Sequence, residues 1–368
     1  MNIIFLCSSL EPGQDGVGDY TRKLAGALIK LGNQAAIAAL HDKSIHKGYA
    51  EECQHDEDVQ VPVIRFSNLF SWKARIAKAN DYINRFSPEW ISLQYVPYGF
   101  SKKGLPFYLP HIIKQLGKNC KWHIMFHEIW TGISALSPIK HKMYGFFQKQ
   151  VCANLIQMLS PQKITTTNRL YQLALRKKKI YAEVMPLFSN IANGPADHHF
   201  LQQIEKENHI HFSDASLLVI GIFGTLYPVA KLYAEIPAHI QKTGAGKKIA
   251  LVFIGRNNHP GELGKIKKAL HNPVQIIELG EMEAAKVSTV FSILHEAILC
   301  TPVEHIGKSG AFAALIYHGV KVTAPSSQPI PEYADEISRY NSMLQSKTPV
   351  EWGVGAIAGK FARYLSND

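Results

Sequence analysis

The chain has few cysteines, no long apolar run and almost no acidic residues over much of its first half. Its five cysteines are scattered and form no C-x-x-C pair, which argues against a disulfide framework and against a zinc site. No stretch approaches the roughly 18 apolar residues that a membrane helix needs. The short apolar run at 3–7 lacks a preceding basic region, so it predicts a first strand rather than a signal peptide. We expect a cytoplasmic protein with free thiols and no bound metal.

The length and the apolar pattern predict an α/β chain with two Rossmann-like domains. The 368 residues, 46% of them hydrophobic, exceed the roughly 250 to 300 residues over which one core grows. Short apolar runs alternate with helical patterns, which favours parallel sheets. The predicted strands are 2–7, 35–40, 62–66, 90–95, 122–126, 163–166, 183–187, 216–223, 248–254, 274–279, 296–300 and 320–323. We predict domains at 1–187 and 215–335, a linker at 188–214 and a C-terminal helical segment at 336–368 that packs back toward the first domain.

Positive charge is concentrated in the first half. Residues 1–187 hold 24 Lys and Arg against 13 Asp and Glu, and residues 90–182 hold 14 basic residues against one acid, Glu128. Such a face attracts anionic lipid, an acidic substrate or nucleic acid. No helix-turn-helix, zinc-finger or RNP-like pattern accompanies the charge, so we expect no nucleic-acid partner.

A basic amphipathic pattern lies at 139–155, where apolar side chains recur at helical spacing among lysines. The apolar positions are Ile139, Met143, Phe146, Phe147, Val151 and Leu155. Such a helix either lies in a lipid interface or packs on its own domain. The sequence leaves both interpretations open.

The first glycine loop, Gly16-Val17-Gly18, follows the first strand and precedes a helix that we expect Asp19 to cap. A dinucleotide site is one interpretation, because Asp42 ends the next strand, near the spacing of a ribose-binding acid. Two features oppose it: Thr21 replaces the third glycine of G-x-G-x-x-G, and the loop is long for a tight strand-to-helix turn.

A second glycine loop follows the strand at 296–300 and reads Thr301 to Gly310, with Lys308 inside it. The amides of a first helical turn have no intrahelical partner and attract phosphate. The alternative is that Gly307 and Gly310 only shape a turn between strand and helix. An NTPase P-loop is disfavoured, because Pro302 stands where that motif needs its first glycine.

Five motifs together give the chain a resemblance to a known family. They are Gly16–Thr21 with its helix, Phe126-His127-Glu128, Phe223-Gly224-Thr225 with Lys231, Phe253-Ile254-Gly255, and Thr301 through Glu304 and Gly307 to residue 322. In this order the chain resembles the GT-B glycosyltransferases, and more closely the retaining enzymes of glycosyltransferase family 4. The resemblance implies two Rossmann-like domains facing a cleft. It also implies a nucleotide-sugar donor on the second domain and a glycan or lipid-linked glycan acceptor on the basic first domain. The basic charge of that domain predicts anionic membrane as a further contact.

The resemblance also assigns roles to individual residues. His127 would orient the donor sugar and Glu304 would hydrogen-bond its hydroxyls, with no enzyme nucleophile and no metal or other cofactor. The donor and its phosphates would contact Gly16, Gly18, Gly224, Thr225, Lys231, Gly307, Lys308, Ser309 and Gly310. The base would lie against Gly255, Gly280 and Glu281, and the acceptor against Asp19 and Tyr20.

Three departures from the family pattern keep other functions open. Phe312 replaces the second acid of E-x7-E, Thr225 replaces an arginine, and Leu232 replaces a glycine. The main alternative is a catalytically silent relative that binds a sugar nucleotide or glycan. A hydrolase or epimerase on the same fold and an NAD-dependent oxidoreductase are further alternatives.

Two short motifs resemble metal sites, but we interpret both as surface structure. The D-x-D sequence at 56–58 lies in an acidic stretch that we interpret as a solvated loop. His198, His199, His209 and His211 fall in the predicted linker and lack the fixed framework of a zinc site.

Overall fold

The alternation of apolar runs and helical patterns folds as two sheets, one in each of two units of the chain. Unit 1 comprises Met1–Pro186, Ile330–Tyr333 and Val354–Asp368, and unit 2 comprises Leu187–Pro329 and Ala334–Gly353. The computed structural model describes residues 1–224, 230–244, 246–256, 259–270, 274–324 and 330–367, with the side chains at 230–234 and 260 outside that description.

Unit 1 is built on an eight-stranded sheet. Its strands are β1 (Asn2–Cys7), β2 (Gln34–Asp42), β3 (Tyr49–Asp56), β4 (Val59–Ser67), β5 (Trp90–Tyr95), β6 (Lys121–Phe126), β7 (Lys163–Thr166) and β8 (Glu183–Val184). Its first helices are α1 (Gly16–Lys30), α2 (Trp72–Phe86), α3 (Pro97–Phe100), α4 (Leu109–Ile113), α5 (Ile139–Leu159) and α6 (Arg169–Arg176). The strand order is β3-β4-β2-β1-β5-β6-β7-β8. All pairings are parallel except that of β3 with β4.

Unit 2 is built on a five-stranded parallel sheet of order β11-β10-β9-β12-β13. Its strands are β9 (Leu217–Phe223), β10 (Lys248–Ile254), β11 (Val274–Gly280), β12 (Glu296–Ile298) and β13 (Val322–Thr323). Its helices are α7 (His198–Asn208), α8 (Ala230–Thr243), α9 (Pro260–Ala269), α10 (Ala284–Phe291), α11 (Gly310–Tyr317) and α12 (Ala334–Gln345). Apolar side chains cover both faces of the sheet, as expected of parallel strands.

The predicted linker and the predicted C-terminal segment both form part of the two units. The stretch 188–214, predicted as a linker, contains α7, and its Ile204 and Ile210 are buried in the core of unit 2. The segment 336–368 divides, because α12 lies in unit 2 and the last helix, α13 (Val354–Ser366), lies in unit 1. There Phe361 packs on Phe5 with ring centroids 5.9 Å apart, and the Tyr364 hydroxyl donates to the carbonyl of Ile164.

Each predicted strand is present with ends shifted by a few residues, but the sequence does not predict β3. This strand pairs antiparallel with β4 through a two-residue turn at Glu57 and Asp58, and Glu57 has a positive φ of 53°. The solvated loop predicted for the D-x-D sequence is present as the turn, in which Glu57 and Asp58 are exposed. The preceding residues form β3, a mostly exposed edge strand without an apolar run that the sequence did not indicate. Both acids of the turn pair with Lys30 of α1, whose Nζ lies 2.7 Å from Glu57 Oε2 and 2.8 Å from Asp58 Oδ1.

The start of α1 also differs from the prediction. The helix begins at Gly16, and its N-cap is Asp15, whose Oδ1 accepts from the amides of Val17 and Gly18 at 3.0 and 2.8 Å. The expectation that Asp19 caps this helix was wrong. Asp19 lies in the first turn, accepts from the amide of Gly13 and pairs with Arg22.

Candidate functional site

The loops after β9, β10 and β12 meet at the carboxyl edge of the unit 2 sheet. Strand β9 lies between β10 and β12, so the chain runs to opposite sides of it, and ligands bind at such a switch point. A Cβ added to Gly224 would lie 3.8 Å from the Cβ of Ala311, and one added to Gly255 would lie 3.4 Å from the amide of Gly224. Gly224 and Gly255 have φ of 98° and 116°, which favour glycine. Gly224 therefore lies between the other two loops.

The third loop places an uncapped part of a helix N-terminus beside Gly224. Ser309 caps α11, because its Oγ accepts from the amide of Phe312 at 3.2 Å, while its own amide donates to Ile306. The amides of Gly310 and Ala311 hydrogen-bond to no residue in the described part of the chain. These two amides are thus the donors that an anion can use. The predicted phosphate contacts in this loop, Gly307 to Gly310, include Ser309, whose amide is already engaged, and omit Ala311.

Glu304 and Lys308 lie in a 3-10 turn, Val303–Lys308, directly before that helix. Within this turn Glu304 and Gly307 are buried. Burial, and then the charge of Lys308, lower the pKa of the neighbouring His305 to about 4, so this ring is neutral at pH 7. His305 therefore adds no positive charge to this turn at pH 7.

A second part of this edge is a cavity of about 230 Å³ lined by the three residues predicted to border a base, Gly255, Gly280 and Glu281. Gly224 lines it too, and the amide of Gly255 donates to the carbonyl of Gly280 at 2.7 Å. Arg256 forms two hydrogen bonds to Glu281, at 2.8 and 2.9 Å. Sequence reasoning missed Arg256, although its position directly after the Phe-Ile-Gly motif was a usable signal.

A larger cavity of about 710 Å³ lies at the other edge of the same sheet. It is lined by the first residues of β9, β10 and β11, and by His209 and His211. Ligands of parallel sheets bind outside the carboxyl ends of the strands. We therefore place the candidate site at the smaller cavity.

In unit 1, His127 and Tyr20 meet at the carboxyl edge of the sheet. His127 follows β6, and its ring lies edge-on to that of Tyr20, with centroids 4.9 Å apart. Its Nε2 lies 2.8 Å from Oε1 of Gln94, a residue of β5 that sequence reasoning missed. The only signal was the alternation of Ser92 and Gln94 within an otherwise apolar strand.

A buried chain of hydrogen bonds fixes the proton of His127. Gln94 Nε2 donates to Ser92 Oγ at 2.7 Å, Ser92 contacts His123 Nδ1 at 2.7 Å, and His123 Nε2 contacts Thr165 Oγ1 at 2.9 Å. Since the Gln94 amide nitrogen is the donor to Ser92, its oxygen accepts from His127 Nε2. Burial lowers the pKa of His127 to about 3. His127 is therefore a neutral imidazole whose Nδ1 is an acceptor.

The glycine loop of unit 1 is already occupied by its own side chains. The Asp15 carboxylate takes the amides of Val17 and Gly18, and a Cβ on Gly18 would lie only 2.6 Å from the carbonyl oxygen of Ser9. Gly18 is thus required by packing, whereas Gly16 has open space around it. The amide of Gly18 is therefore not free for the predicted phosphate contact. The Asp15 carboxylate also disfavours a second anion beside Gly16 and Gly18.

Asp42 is equally committed to the fold. It is fully buried, pairs with Arg65 at 2.9 Å and accepts from the amides of Leu10 and Ser44 at 3.0 Å. Burial alone would raise the pKa of Asp42, but these hydrogen bonds outweigh it and hold the pKa below its usual value. A ribose hydroxyl would have to displace these partners, which argues against the dinucleotide interpretation.

No protein family profile matches the chain, and no curated protein matches it. Solved structures match it over its full length. A glycosyltransferase from Rickettsia africae ESF-5 is 15% identical with a TM-score of 0.59, and the match covers 100% of this chain and 99% of the other. The lipopolysaccharide outer core galactosyltransferase WaaB is 10% identical with a TM-score of 0.51, covering 99% of both chains. A proposed UDP-N-acetylglucosamine 2-epimerase from Listeria monocytogenes is 10% identical with a TM-score of 0.51, covering 100% and 97%.

The chain has the GT-B fold. Its two parallel-sheet units are the two Rossmann-like domains of that fold. At these identities the match concerns the fold alone, and the activity has to be argued from the site.

One departure from the GT-B residue pattern has a clear structural basis. Phe312, at the place of the second acid of E-x7-E, is fully buried, and its ring packs edge-on against Trp352 at 5.2 Å. It belongs to the core of unit 2 and not to its surface. Thr225 and the side chains of Lys231 and Leu232 lie outside the described residues.

Two features are absent from the described residues. No helix among them has the length and apolarity to cross a membrane. No group of three or more His, Cys, Asp or Glu side chains is placed there to hold a metal ion.

Proposed function

We propose that this chain is a retaining glycosyltransferase that moves a hexose-type sugar from a nucleotide-sugar to a glycan or lipid-linked glycan. The observation that carries the proposal is the meeting of three loops at Gly224, beside the two free amides of Gly310 and Ala311. Free amides at a helix N-terminus fit a diphosphate. The adjoining cavity at Gly255 and Glu281 fits a base or ribose.

In this proposal unit 2 holds the donor. The amides of Gly310 and Ala311 and the ammonium group of Lys308 would neutralise the diphosphate, so that no metal ion is needed. Glu304, before the same helix, would accept hydrogen bonds from sugar hydroxyls. Arg256 and Glu281 would border the nucleoside.

The proposed reaction keeps the configuration of the sugar. An acceptor hydroxyl oxygen bonds to the anomeric carbon on the face that the diphosphate leaves. The bond from that carbon to the phosphate oxygen breaks with its electron pair, and the leaving phosphate oxygen takes the hydroxyl proton. The neutral His127 would orient the sugar and accept a hydrogen bond at Nδ1, while Tyr20 and Asp19 would contact the acceptor.

We extend the proposal to an acceptor carried on a lipid at an anionic membrane. Unit 1 supports this extension, because residues 90–182 hold 14 basic residues and one acid. An anionic surface concentrates a protein with such a face.

The test is calorimetric titration of the full chain with UDP, GDP, ADP and CMP, comparing Ala311→Glu with Ala285→Glu. Both substitutions place an acid at the second position of a unit 2 helix, α11 or α10, where a carboxylate suits the helix dipole. We expect one nucleotide to bind, Ala311→Glu to weaken it by roughly tenfold or more, and Ala285→Glu to leave it unchanged. Absence of nucleotide binding at millimolar concentration, or equal binding by both variants, would overturn the proposed donor site.

The burial of Phe312 favours a second candidate, a protein that binds a sugar nucleotide without transferring the sugar. The likeness to the Listeria protein adds an epimerase as a third. Incubation with the nucleotide-sugar selected by titration separates these candidates. Acceptor-dependent release of nucleoside diphosphate supports transfer, acceptor-independent interconversion of the sugar supports an epimerase, and binding without any product supports the silent protein.

A further inference from the structure

One face of α5 is apolar and exposed at its N-terminal end. Ile139, Met143 and Phe146 are 76%, 62% and 65% exposed, and at roughly 100° per residue they point to the same side of the helix. Gly145 lies on the side of α5 that packs on the rest of unit 1, because a Cβ added there would collide with the carbonyl of Thr131. Three large apolar side chains in one row on a surface indicate an interaction site.

The same face continues into a basic cavity of about 430 Å³. Its lining residues include Phe146, Trp130, Lys149, Lys178 and Lys179. Lys149 Nζ lies 5.6 Å from the centroid of the Trp130 ring. Within the described residues, no carboxylate forms an ion pair with any of these three lysines.

Among the described residues that line the cavity there are three lysines and no acid. Burial, and then the charge of Lys178, lower the pKa of Lys149. An anion between these ammonium groups would offset that repulsion. A phosphate group has the matching charge, and the exposed apolar row next to it fits the chain of a lipid.

We propose that this face of α5 docks on an anionic phospholipid bilayer, with one headgroup phosphate in the cavity of Lys149, Lys178 and Lys179. Ile139, Met143 and Phe146 enter the interface between headgroups and acyl chains. A soluble phosphate would satisfy the lysines but would leave the apolar row in water. The inference deepens the proposed function, on which it rests for the lipid-linked acceptor, although its surface lies wholly in unit 1.

The test is co-sedimentation of the full chain with vesicles of phosphatidylglycerol and phosphatidylcholine, and with vesicles of phosphatidylcholine alone. One double variant carries Lys178→Glu and Lys179→Glu. Its control carries Lys47→Glu and Lys73→Glu, which change the net charge by the same amount at exposed positions of unit 1. We compare Phe146→Ser with Leu69→Ser, since Leu69 is 81% exposed and lies between β4 and α2.

We expect binding only to the anionic vesicles. The partition coefficient should fall roughly tenfold or more in the Lys178 and Lys179 double variant and several-fold in Phe146→Ser, and it should stay within about twofold in Leu69→Ser. The Lys47 and Lys73 variant should lose less than the cavity variant. Equal losses in the matched pairs would overturn the docking face. Titration with sn-glycerol 3-phosphate is the second arm, and tight binding of this probe without vesicle binding would also overturn it.

The donor site is measured separately by nucleotide titration of the same variants. Their nucleotide affinity should match that of the wild type. Vesicle binding without any nucleotide binding would contradict the proposed donor site and leave the docking face supported. Nucleotide binding without vesicle binding would contradict the docking face and leave the proposed donor site supported.

Discussion

Gln94 Oε1 lies 2.8 Å from His127 Nε2, and this hydrogen bond joins the edge of the unit 1 sheet to a buried polar chain. Because the amide nitrogen of Gln94 is committed to Ser92, the bond keeps the proton of His127 on Nε2. Gln94 is therefore a positioning residue: it holds the His127 proton on Nε2 and leaves Nδ1 as an acceptor.

Gln94→Glu should change the protonation of His127. A carboxylate at that place would pair with the imidazolium and raise its pKa from about 3 toward the usual range. Histidine ring signals in a ¹⁵N NMR titration measure this pKa directly. The exposed Gln60→Glu is the matched control and should leave His127 neutral. An unchanged His127 titration in folded Gln94→Glu would show that Gln94 does not govern this ring.

The buried histidines should make the fold sensitive to acid. The pKa of His123 is lowered to about 3 by burial and by the charge of His127, and that of His127 to about 3 by burial. In the unfolded chain both are near 6.5. The folded state then binds fewer protons below that value. Stability is fully present above about pH 6.5 and falls with decreasing pH, by about 1.4 kcal/mol per pH unit for each histidine.

Urea unfolding between pH 7.5 and 5 checks this slope in wild type and in His123→Gln. The variant should lose less of its unfolding free energy over that range, even if it is less stable at pH 7.5. An identical pH slope in both proteins would mean that His123 is not held neutral in the fold.

Restoring an acid at position 312 should not repair the donor site. Phe312 is fully buried against Trp352, so Phe312→Glu would bury a carboxylate there and destabilise unit 2 by several kcal/mol. Phe312→Leu keeps an apolar side chain and should cost about 1 to 3 kcal/mol, with nucleotide affinity unchanged. Urea unfolding and calorimetric titration measure both quantities. A stable Phe312→Glu protein that binds nucleotide more tightly would contradict this account.

The sequence predicts the central strands well, because buried parallel strands are written as apolar runs. Strand β3 has no such run. It is held in place by pairing with β4 and by ion pairs to α1, which the sequence pattern does not show. The same limit applies to the caps. Asp15 and Asp19 are both acids near a helix start, and only the loop geometry determines which of them caps α1.

The candidate site shows the same division. Gly224, Gly255 and Gly280 stand at strand ends, so the sequence places them at one edge of the sheet. Gln94 and Ala311 could not be predicted from the sequence, because their roles depend on contacts. Gln94 acts through a residue 33 positions away, and Ala311 matters because its amide is left free by the cap of Ser309.

The most direct test of the proposed donor site is amide NMR of the full chain during titration with the nucleoside diphosphate that binds. We predict the largest shifts at the amides of Gly224, Gly310 and Ala311, with smaller shifts at Gly255 and Gly280. Ala285 of α10 should not respond. Shifts confined to His211 and Gly246, at the amino edge of the unit 2 sheet, would contradict the account by placing the nucleotide in the other cavity.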